Sequence, residues 1–564
     1  MKSDPYAPRQ WLPHEKPTLP GSPSTPLHPW HRRIAYGLVG VLVSLTGGLG
    51  NALVTANLTN LQGSFGAYSN EIAWLPAVYL MTNVSINLLL VKFRQQYGLR
   101  VFTEAFLVLY VLVTFFHLFV NDLSTAMMVR AAHGMVGAAL SSLSIYYQIQ
   151  AFPAKHRLKA LTVGIGIAQM ATPLARLFSS ELLALNEWRG LYLFELGLAL
   201  VSLAGVLLMK LPPSDRIKVF EKLDFLTFML MAPGMALLCG VLSLGKIDWW
   251  REAPWIGWSL AASMVLIVSA LVVEHHRRNP LLNTRWLSSG AIIRLGLIMI
   301  LMRIVLSEQN TGAIGYLQQI GLLNDQMRGL SVAILLGMIA GVFCSALTVN
   351  PKKLPQPIII SLALMMFASL MDAHSNSLTR PENFYFSQFL LGFGGAFFLA
   401  PALLAGIGGV VAEPRNLVSF SVLFGMSQNI GGLLGAAWLG TFQVVREKFH
   451  SSQLTEQLTL ANPLVAERVN SYTAAYGGVL NDGYLQSVQG LSQLQSIASR
   501  EANTLAYNDV YLLTAAIALV TLVWILWRLL WLRIQARRAQ RQAAAMAARQ
   551  TAAAATAVIA SEGQ

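Results

Sequence analysis

The sequence predicts an all-α polytopic membrane protein, and three observations carry this prediction. Of the 564 residues, 55% are hydrophobic and only 12% are charged, whereas about 25% are charged in an average soluble protein. Apolar runs of about 20 residues, the length that crosses a hydrocarbon core, recur along almost the whole chain. Short loops rich in Lys and Arg separate these runs. We therefore expect about fourteen transmembrane helices.

The predicted spans follow the apolar runs in order. One set of connecting loops is basic, whereas the alternate loops at 58–70 and 121–123 contain no Lys or Arg. The positive-inside rule then places the basic loops and both termini on the cytoplasmic side of a bacterial inner membrane. The spans are 34–57, 71–91, 101–120, 124–147, 159–180, 189–210, 223–244, 254–274, 288–312, 329–349, 355–372, 384–411, 416–443 and 507–532. The basic loops contain Lys92, Arg94, Arg100, Lys155, Arg157, Lys159, Arg216, Lys218, Lys222, Arg277, Arg278, Arg285, Lys352 and Lys353.

The spans group into two bundles with flanking segments. The first segment is polar and rich in proline, and it lacks the apolar core and cleavage site of a signal peptide. The last segment is rich in Ala, Gln and Arg. The predicted domains are a disordered cytoplasmic tail (1–33), a six-helix bundle (34–210), two inserted transmembrane helices with flanking loops (211–285), a second six-helix bundle (286–532) and a cytoplasmic tail (533–564).

The net charge and the cysteines each have a simple interpretation. The formal net charge of +14 comes from Lys and Arg in loops and tails, as the positive-inside rule requires, so we expect no nucleic-acid partner. Cys239 and Cys344 lie in separate apolar runs and are interpreted as small core residues. The sequence contains no phosphate-binding loop motif, so ATP drive is not expected. We expect no metal and no cofactor.

One long polar loop, predicted to be periplasmic, interrupts the pattern at 446–506. Its apolar residues recur at intervals of three, which predicts an amphipathic helix. Two interpretations stay open: a helical hairpin on the protein's own outer face, or a docking surface for a periplasmic adaptor (membrane fusion) protein and an outer-membrane channel. The apolar residues are Leu485, Val488, Leu491, Leu494 and Ile497.

Several local motifs resemble those of a known family. After the second span the chain reads Tyr97-Gly98-Leu99-Arg100, and the fourth span contains Arg130-Ala-Ala-His133-Gly134-Met-Val-Gly137. The fifth span contains Gly164, Gly166, Ala171, Thr172 and Pro173. With the two extra spans between the bundles, these motifs resemble the major facilitator superfamily, specifically its fourteen-helix drug:proton antiporters of the EmrB/QacA type. The resemblance covers roughly residues 34–530.

The resemblance implies roles for these motifs. Gly98 and Arg100 are similar to the end of the superfamily's cytoplasmic Gly-rich basic motif. Arg130, with Gly134 and Gly137, matches the Arg-x-x-x-Gly-x-x-Gly motif, whose arginine is linked to proton transfer in the family. The alternative for Arg130 is a structural clamp between helices.

The fifth span resembles the antiporter motif but departs from it. In the motif a glycine precedes the proline, whereas here Thr172 precedes Pro173. A proline among small residues allows a bend, so this span can act as a hinge. The departure leaves the direction of transport open.

A proton-driven transporter needs an ionisable group that faces each side in turn. Within the spans we identify Glu104, Glu195 and Glu308 as acidic residues, and the family's usual acid in the first span is absent, since Gly50 and Asn51 occupy that neighbourhood. We expect Glu308 first and Glu195 second to carry protons. A satisfied ion pair or a position near the outer interface is the alternative for each, and Glu104 lies near the cytoplasmic end.

Arginine outnumbers acid within the spans. If Arg176 and Arg303 line a central cavity, the cavity is electropositive and favours anionic substrates. Helix–helix hydrogen bonds are the alternative role for the polar candidates. The candidate cavity residues are Asn57, Tyr79, Gln169, Arg176, Arg303, Gln309, Gln428 and Asn429.

We therefore predict a proton-coupled antiporter that exports small amphipathic or aromatic compounds (drugs or toxic organic acids). It would work by alternating access around a cavity at the membrane midplane. Its partners would be the substrate, protons and the lipid bilayer. An importer or facilitator of an anionic metabolite is the alternative. A polytopic membrane enzyme is less favoured, because the sequence shows no cluster of acidic, His or metal-ligand residues at one membrane face.

Overall fold

The chain is helical throughout the part that the structure describes. A computed structural model describes residues 12, 15, 17, 21–153, 156–351 and 353–562. Across these residues there are helices and no strands. Thirteen of the described helices are long and apolar enough to cross a membrane. The predicted all-α class is confirmed.

A further long helix coincides with the predicted span 124–147 and is counted here with the spans. Leu123–Ala151 has 29 residues, and it carries the buried polar side chains Arg130 and His133, which make it less apolar. Numbered in chain order, spans 1–7 are Trp30–Ala56, Ser69–Tyr97, Leu99–Phe119, Leu123–Ala151, Arg157–Ser179, Trp188–Leu208 and Lys222–Leu244. Spans 8–14 are Pro254–His276, Gly290–Gln319, Arg328–Thr348, Pro355–Asp372, Pro381–Val410, Pro414–Gln457 and Gly483–Met546.

The spans pack as two halves with an inserted pair. In the first half, span 4 packs against spans 1 and 2; in the second half, span 12 packs against spans 10 and 11. The halves meet where span 2 contacts span 13 and where span 5 contacts span 10. Spans 7 and 8 pack on each other, and span 7 also contacts spans 2 and 13. The inserted pair therefore touches both halves.

A buried ion-pair network holds the inserted spans at the basic end, meaning the end of the bundle that carries the basic loops. Lys92 Nζ lies 2.6 Å from Asp224 Oδ2, and Arg277 bridges Asp224 and Glu274 at 2.9 and 2.7 Å. Outside the spans, a hydrogen bond from Arg277 holds the pKa of Glu221 below its ordinary value. Asp224 and Glu274 lie within the predicted spans and are buried, so the spans contain more buried acids than the three predicted.

The structure also describes parts of both terminal segments. Of the predicted N-terminal tail, residues 1–11 lie outside the described residues, as do Lys155 and Lys352 of the basic loops. Ser24 is buried at the basic end, where its carbonyl accepts a 2.9 Å hydrogen bond from Gln150. The last helix continues from span 14 to Glu562.

The predicted loop 446–506 is mostly helical. The helix of span 13 runs to Gln457, the short helix Pro463–Ala475 follows, and the last helix begins at Gly483. The short helix packs against the start of the last helix. The predicted apolar stripe is only partly covered, because Leu485, Val488 and Leu491 are exposed.

Glycines allow close helix crossings. A Cβ atom at Gly134 of span 4 would overlap the carbonyl oxygen of Tyr79 in span 2. A Cβ at Gly435 of span 13 would overlap the hydroxyl of Ser307 in span 9. Helices come this close in membranes where a small residue leaves room for the neighbouring backbone.

Gly134→Ala is therefore expected to destabilise the protein by about 1–3 kcal/mol, because the added methyl group meets backbone that cannot move aside. The measurement is the apparent melting temperature of the purified protein in detergent. Gly197→Ala is the matched control, since a Cβ at Gly197 meets nothing within 4 Å. Equal melting temperatures for the two variants would contradict the packing argument.

Candidate functional site

The first half buries an arginine, a histidine and a carboxylate in one chain of contacts. Arg130 and His133 lie one turn apart on span 4 and are both fully buried, and Glu195 of span 6 is 1% exposed. Arg130 Nη1 lies 3.2 Å from His133 Nδ1, and His133 Nε2 lies 2.8 Å from Glu195 Oε1. His133 therefore links two of the three predicted proton-coupling residues.

Residues of spans 1, 2 and 3 hold Arg130 and Glu195 in place. Arg130 donates hydrogen bonds of 2.8 Å to the Gly50 carbonyl and 2.7 Å to Asn51 Oδ1. Its guanidinium carbon lies 4.6 Å from the centre of the Tyr79 ring, a cation–π distance. The Tyr110 hydroxyl lies 2.7 Å from Glu195 Oε1. The arginine thus binds carbonyl, amide and ring groups, the carboxylate binds the Tyr110 hydroxyl, and His133 contacts both.

The geometry at Gly50 explains the absence of an acid in span 1. A Cβ at Gly50 would lie 2.5 Å from the Tyr110 hydroxyl and 2.6 Å from Glu195 Oε1. The carboxylate of Glu195 therefore occupies the space into which a side chain of span 1 would point. A buried acid is present at this place, but span 6 supplies it.

In the sequence, His133 stands out only as part of a motif. The available signal was its spacing of three residues from Arg130, which places both side chains on one face of a helix. A histidine on the same face as an intramembrane arginine can bridge it to an acid from another span. Only the packing of span 6 shows which acid that is.

The second half buries two carboxyls around one amide. Glu308 of span 9 is fully buried and directly precedes a π-helical stretch, Gln309–Ile314. Gln388 Nε2 of span 12 lies 3.3 Å from Glu308 Oε1 and 2.8 Å from Asp372 Oδ2. Asp372 is the last residue of span 11 and is 4% exposed.

Asp372 was missed because it ends the predicted span 355–372 and resembles an ordinary helix-end acid. Its contact with Gln388 depends on how spans 11 and 12 pack, which the sequence pattern does not show. Glu104, by contrast, lies 3.9 Å from Lys210 at the basic end and is partly exposed, as expected. Among the described residues, no group of three or more His, Cys, Asp or Glu is arranged to hold a metal ion.

Three of the candidate cavity residues meet between the halves. Arg303 Nη1 of span 9 lies 3.3 Å from Gln169 Oε1 of span 5, and Arg303 Nε lies 3.2 Å from the Gln428 carbonyl of span 13. Arg303 does not pair with Glu308, five residues later on the same span, because its guanidinium points toward spans 5 and 13. In the described part of the chain, Arg303 has no carboxylate within ion-pair distance.

Two other candidates lie where the halves touch at the opposite end, meaning the end of the bundle away from the basic loops. Arg176 is buried, and its Nη1 lies 3.1 Å from Asn324 Oδ1. Asn324 Nδ2 donates a 2.8 Å hydrogen bond to the Ala56 carbonyl, while Asn57 Nδ2 bonds Ser179 Oγ at 2.9 Å. We call the contact of Asn324 with Ala56 and Arg176 the clasp.

The remaining cavity candidates do not join these groups. Tyr79 lies against Arg130 in the first half. Gln309 is buried, and its amide nitrogen has no hydrogen-bond partner among the described residues. Asn429 is half-buried on span 13. The eight candidates therefore divide among several places instead of lining one surface.

The motif residues lie at turns and crossings. Gly98 ends span 2 with a φ of +86°, a conformation that favours glycine, and Arg100 Nε donates a 2.7 Å hydrogen bond to the Leu211 carbonyl. Span 5 is interrupted at Met170, three residues before Pro173 and two before Thr172. Proline has no N–H to bond the carbonyl four residues earlier, which accounts for the interruption.

Glu195→Ala is expected to destabilise the protein by about 3–5 kcal/mol, because it leaves the buried Tyr110 and His133 without their acidic partner. Glu195→Gln keeps an acceptor for the Tyr110 hydroxyl and should cost less. Apparent melting temperatures in detergent measure both effects. If both variants have the melting temperature of the wild-type protein, the contacts to Glu195 do not stabilise this half.

Comparison with known proteins agrees with this architecture. A family model described as "Major Facilitator Superfamily" matches residues 40–436. The chain is 22% identical to the "Uncharacterized MFS-type transporter YhcA" of Bacillus subtilis (strain 168), over 84% of this chain and 90% of that protein. It is 20% identical to the "Multidrug transporter protein MdtP" of the same organism, over 82% and 84%.

A solved structure shows the same fold. The crystal structure of the human organic anion transporter MFSD10 (TETRAN) aligns with a TM-score of 0.51 and 15% identity, covering 87% of this chain and 100% of that chain. The family model spans well over half of the sequence. The protein therefore belongs to the Major Facilitator Superfamily, and it is a multi-pass membrane transporter, not an enzyme.

Proposed function

We propose that this transporter is a proton-coupled antiporter that exports small amphipathic or aromatic compounds, with a preference for anionic ones. The observation that carries the proposal is the division of charge. Each half buries carboxyl groups among hydrogen-bonding side chains, while Arg303 lies between the halves without a carboxylate partner among the described residues. The first arrangement suits proton binding and the second suits an anion.

In the first half, a proton would act through Glu195. While Glu195 is ionised, its charge holds His133 and accepts the Tyr110 hydroxyl. Protonation removes that charge and weakens both contacts, so the packing of span 6 against spans 3 and 4 changes with the proton. A proton can drive a conformational change only through such a difference between two states.

An anionic substrate would bind at Arg303. The guanidinium is held by Gln169 and by the Gln428 carbonyl, which come from opposite halves. A substrate carboxylate that takes over these hydrogen bonds would pair with the guanidinium and loosen the contact between the halves. Binding would thereby be tied to the movement of one half against the other.

Export then requires the clasp to open. Asn324 joins the end of span 1 to Arg176 of span 5 and is one contact between the halves at the opposite end. The ion pair of Arg328 with Glu181, at 2.6 Å, is another contact there and must open with it. Breaking the clasp exposes Arg176 to solvent on that side. The interruption of span 5 at Met170 lies between Arg303 and the clasp, where a hinge would be placed.

Orientation and direction rest on further arguments. The positive-inside rule supports basic loops and both termini in the cytoplasm of a bacterial cell. Export is supported by the names of several relatives, which include multidrug transporters and multidrug resistance proteins. Exposed Leu485, Val488 and Leu491 support docking of a periplasmic adaptor. The EmrB/QacA branch stays a prediction.

The proposal predicts accumulation driven by a pH gradient. Everted vesicles that contain the protein should accumulate labelled p-aminohippurate when their interior is made more acidic than the outer solution. Ethidium is tested in parallel as a cationic dye. A protonophore should abolish accumulation, and Glu308→Gln or Glu195→Gln should lower it by about tenfold or more, since each removes a proton-carrying group. Glu382→Gln, an exposed acid in the same half as Glu308, is the control.

Accumulation of neither compound in response to the gradient would contradict antiport. Equilibration of p-aminohippurate without dependence on the gradient would instead support the alternative function, a facilitator of an anionic metabolite, which the Thr172 departure from the antiporter motif leaves open.

The preference for anions is tested on Arg303. Arg303→Gln removes a charged hydrogen-bond donor worth about 1.5–3 kcal/mol, so p-aminohippurate transport should fall by about tenfold or more, while ethidium transport should change little. Arg294→Gln, on the same span near the basic end, is the control variant. Unchanged p-aminohippurate transport in Arg303→Gln would remove the argument for an anionic substrate.

A further inference from the structure

We propose that Asp372 is a second proton-carrying residue of the second half, and that it relays protons between a surface cavity at the opposite end and the buried Glu308. The inference rests on the proposed proton coupling and adds an entry route to it. It is carried by the geometry of the Glu308–Asp372 pair, by two buried polar groups beside the pair, and by the cavity.

The two carboxyls share one hydrogen-bond donor. Gln388 Nε2 lies 2.8 Å from Asp372 Oδ2 and 3.3 Å from Glu308 Oε1. Neither carboxyl forms an ion pair with a Lys, Arg or His side chain among the described residues. Two carboxylates in one buried site cannot both stay ionised without a cation, so the pair holds a proton.

Two further polar groups border the pair and have no hydrogen-bond partner in the described part of the chain. They are the Gln388 carbonyl oxygen and the Tyr511 hydroxyl, and both side chains are fully buried. The Tyr511 ring and the Glu308 carboxyl meet at Gly312, where a Cβ would lie 2.9 and 3.1 Å from them. An amide oxygen can accept a hydrogen bond from a protonated carboxyl, and a hydroxyl can donate one to the ionised form.

The groups around the pair leave proton binding to the two carboxyls. The titratable side chains that face it are Tyr316 on span 9 and Tyr507 and Tyr511 on span 14. Span 12 contributes the neutral Gln388. Arg303, the basic residue closest in sequence to Glu308, points toward spans 5 and 13.

A cavity connects Asp372 to the surface. It has a volume of about 290 Å³ and lies at the opposite end, where Asp372, His374, Asn376 and Thr379 line it. Glu308 is not among the lining residues. Asp372 is therefore the member of the pair that water in the cavity can reach, and His374, which is exposed, is the titratable group beside it.

These contacts define a path in which each proton taken up and released is accounted for. At the start Glu308 holds the proton of the pair and Asp372 is ionised. As Glu308 gives up its proton during transport, a proton from water in the cavity binds the Asp372 carboxylate, so one carboxyl stays protonated, and the Asp372 carboxyl then transfers that proton to the Glu308 carboxylate. Asp372 is left ionised and can accept the next proton. The reverse sequence releases a proton to the same side, so the route serves exchange between Glu308 and the outer solution.

The site is tested directly by infrared spectroscopy, which needs no substrate. Difference spectra of a film of the purified protein are recorded while the pH of the overlying buffer is changed, and the C=O band of protonated carboxyls is followed. Asp372→Asn and Glu308→Gln should each reduce the pH-dependent part of this band, and the double variant should lose little more than either alone, because the residues act as one unit. Glu382→Gln should lose no more than one exposed acid contributes.

Transport provides the second measurement. In proteoliposomes, Asp372→Asn should lower gradient-driven accumulation of p-aminohippurate by about tenfold or more, yet leave counterflow exchange within about twofold, because exchange needs no net proton movement. Asp372→Glu keeps a carboxyl and should restore accumulation while shifting its pH profile. If Asp372→Asn does not fold, Asp372→Glu still tests the proposal through that shift.

Three results would overturn the relay. In the first, the band of Asp372→Asn titrates as it does in Glu382→Gln. In the second, gradient-driven accumulation survives in Asp372→Asn, or a sodium gradient replaces the pH gradient. In the third, accumulation and counterflow fall together in Asp372→Asn and Asp372→Glu, as a purely structural role would require. A wild-type protein that ignores the pH gradient would contradict the proposed function, while the infrared band would still report on the pair.

Discussion

A charge buried in a membrane is costly unless neighbouring groups stabilise it, and the arrangement of this protein follows from that constraint. Arg130 is fully buried because the Gly50 carbonyl, Asn51 and the Tyr79 ring surround it. Asp224 is buried because Lys92 and Arg277 pair with it. The Lys92 pair fastens span 7 to span 2, and the Arg277 pair joins the end of span 8 to span 7. Such groups are anchors, since each charge has a fixed partner.

Glu195 has a fixed partner in His133, whereas the other candidate coupling groups differ from these anchors in what surrounds them. Glu308 and Asp372 face an amide instead of a cation, and Arg303 faces amide and carbonyl oxygens instead of a carboxylate. A group without an oppositely charged partner can exchange its proton or its ligand at a lower cost than one in a strong pair. The two kinds of site are separated in space, which suits a transporter that must keep some contacts while it breaks others.

Much of the fold could be predicted, because hydropathy is a property of single spans. Apolar length located the spans, including the span at 124–147 that carries Arg130 and His133. The site was harder to predict, because its contacts join different spans. Nothing local shows that Glu195 would fill the space beside Gly50, or that Asp372 would reach Gln388. These pairings arise from helix packing.

The central claim is that substrate movement and proton movement are coupled through buried carboxyls. The most direct test is substrate-induced proton flux, measured with a pH-sensitive dye trapped in proteoliposomes that hold no initial pH gradient. The account predicts that an outward gradient of p-aminohippurate drives protons inward, and that Glu308→Gln abolishes this flux while exchange of the compound continues. Substrate movement without any proton flux in the wild-type protein would contradict the account.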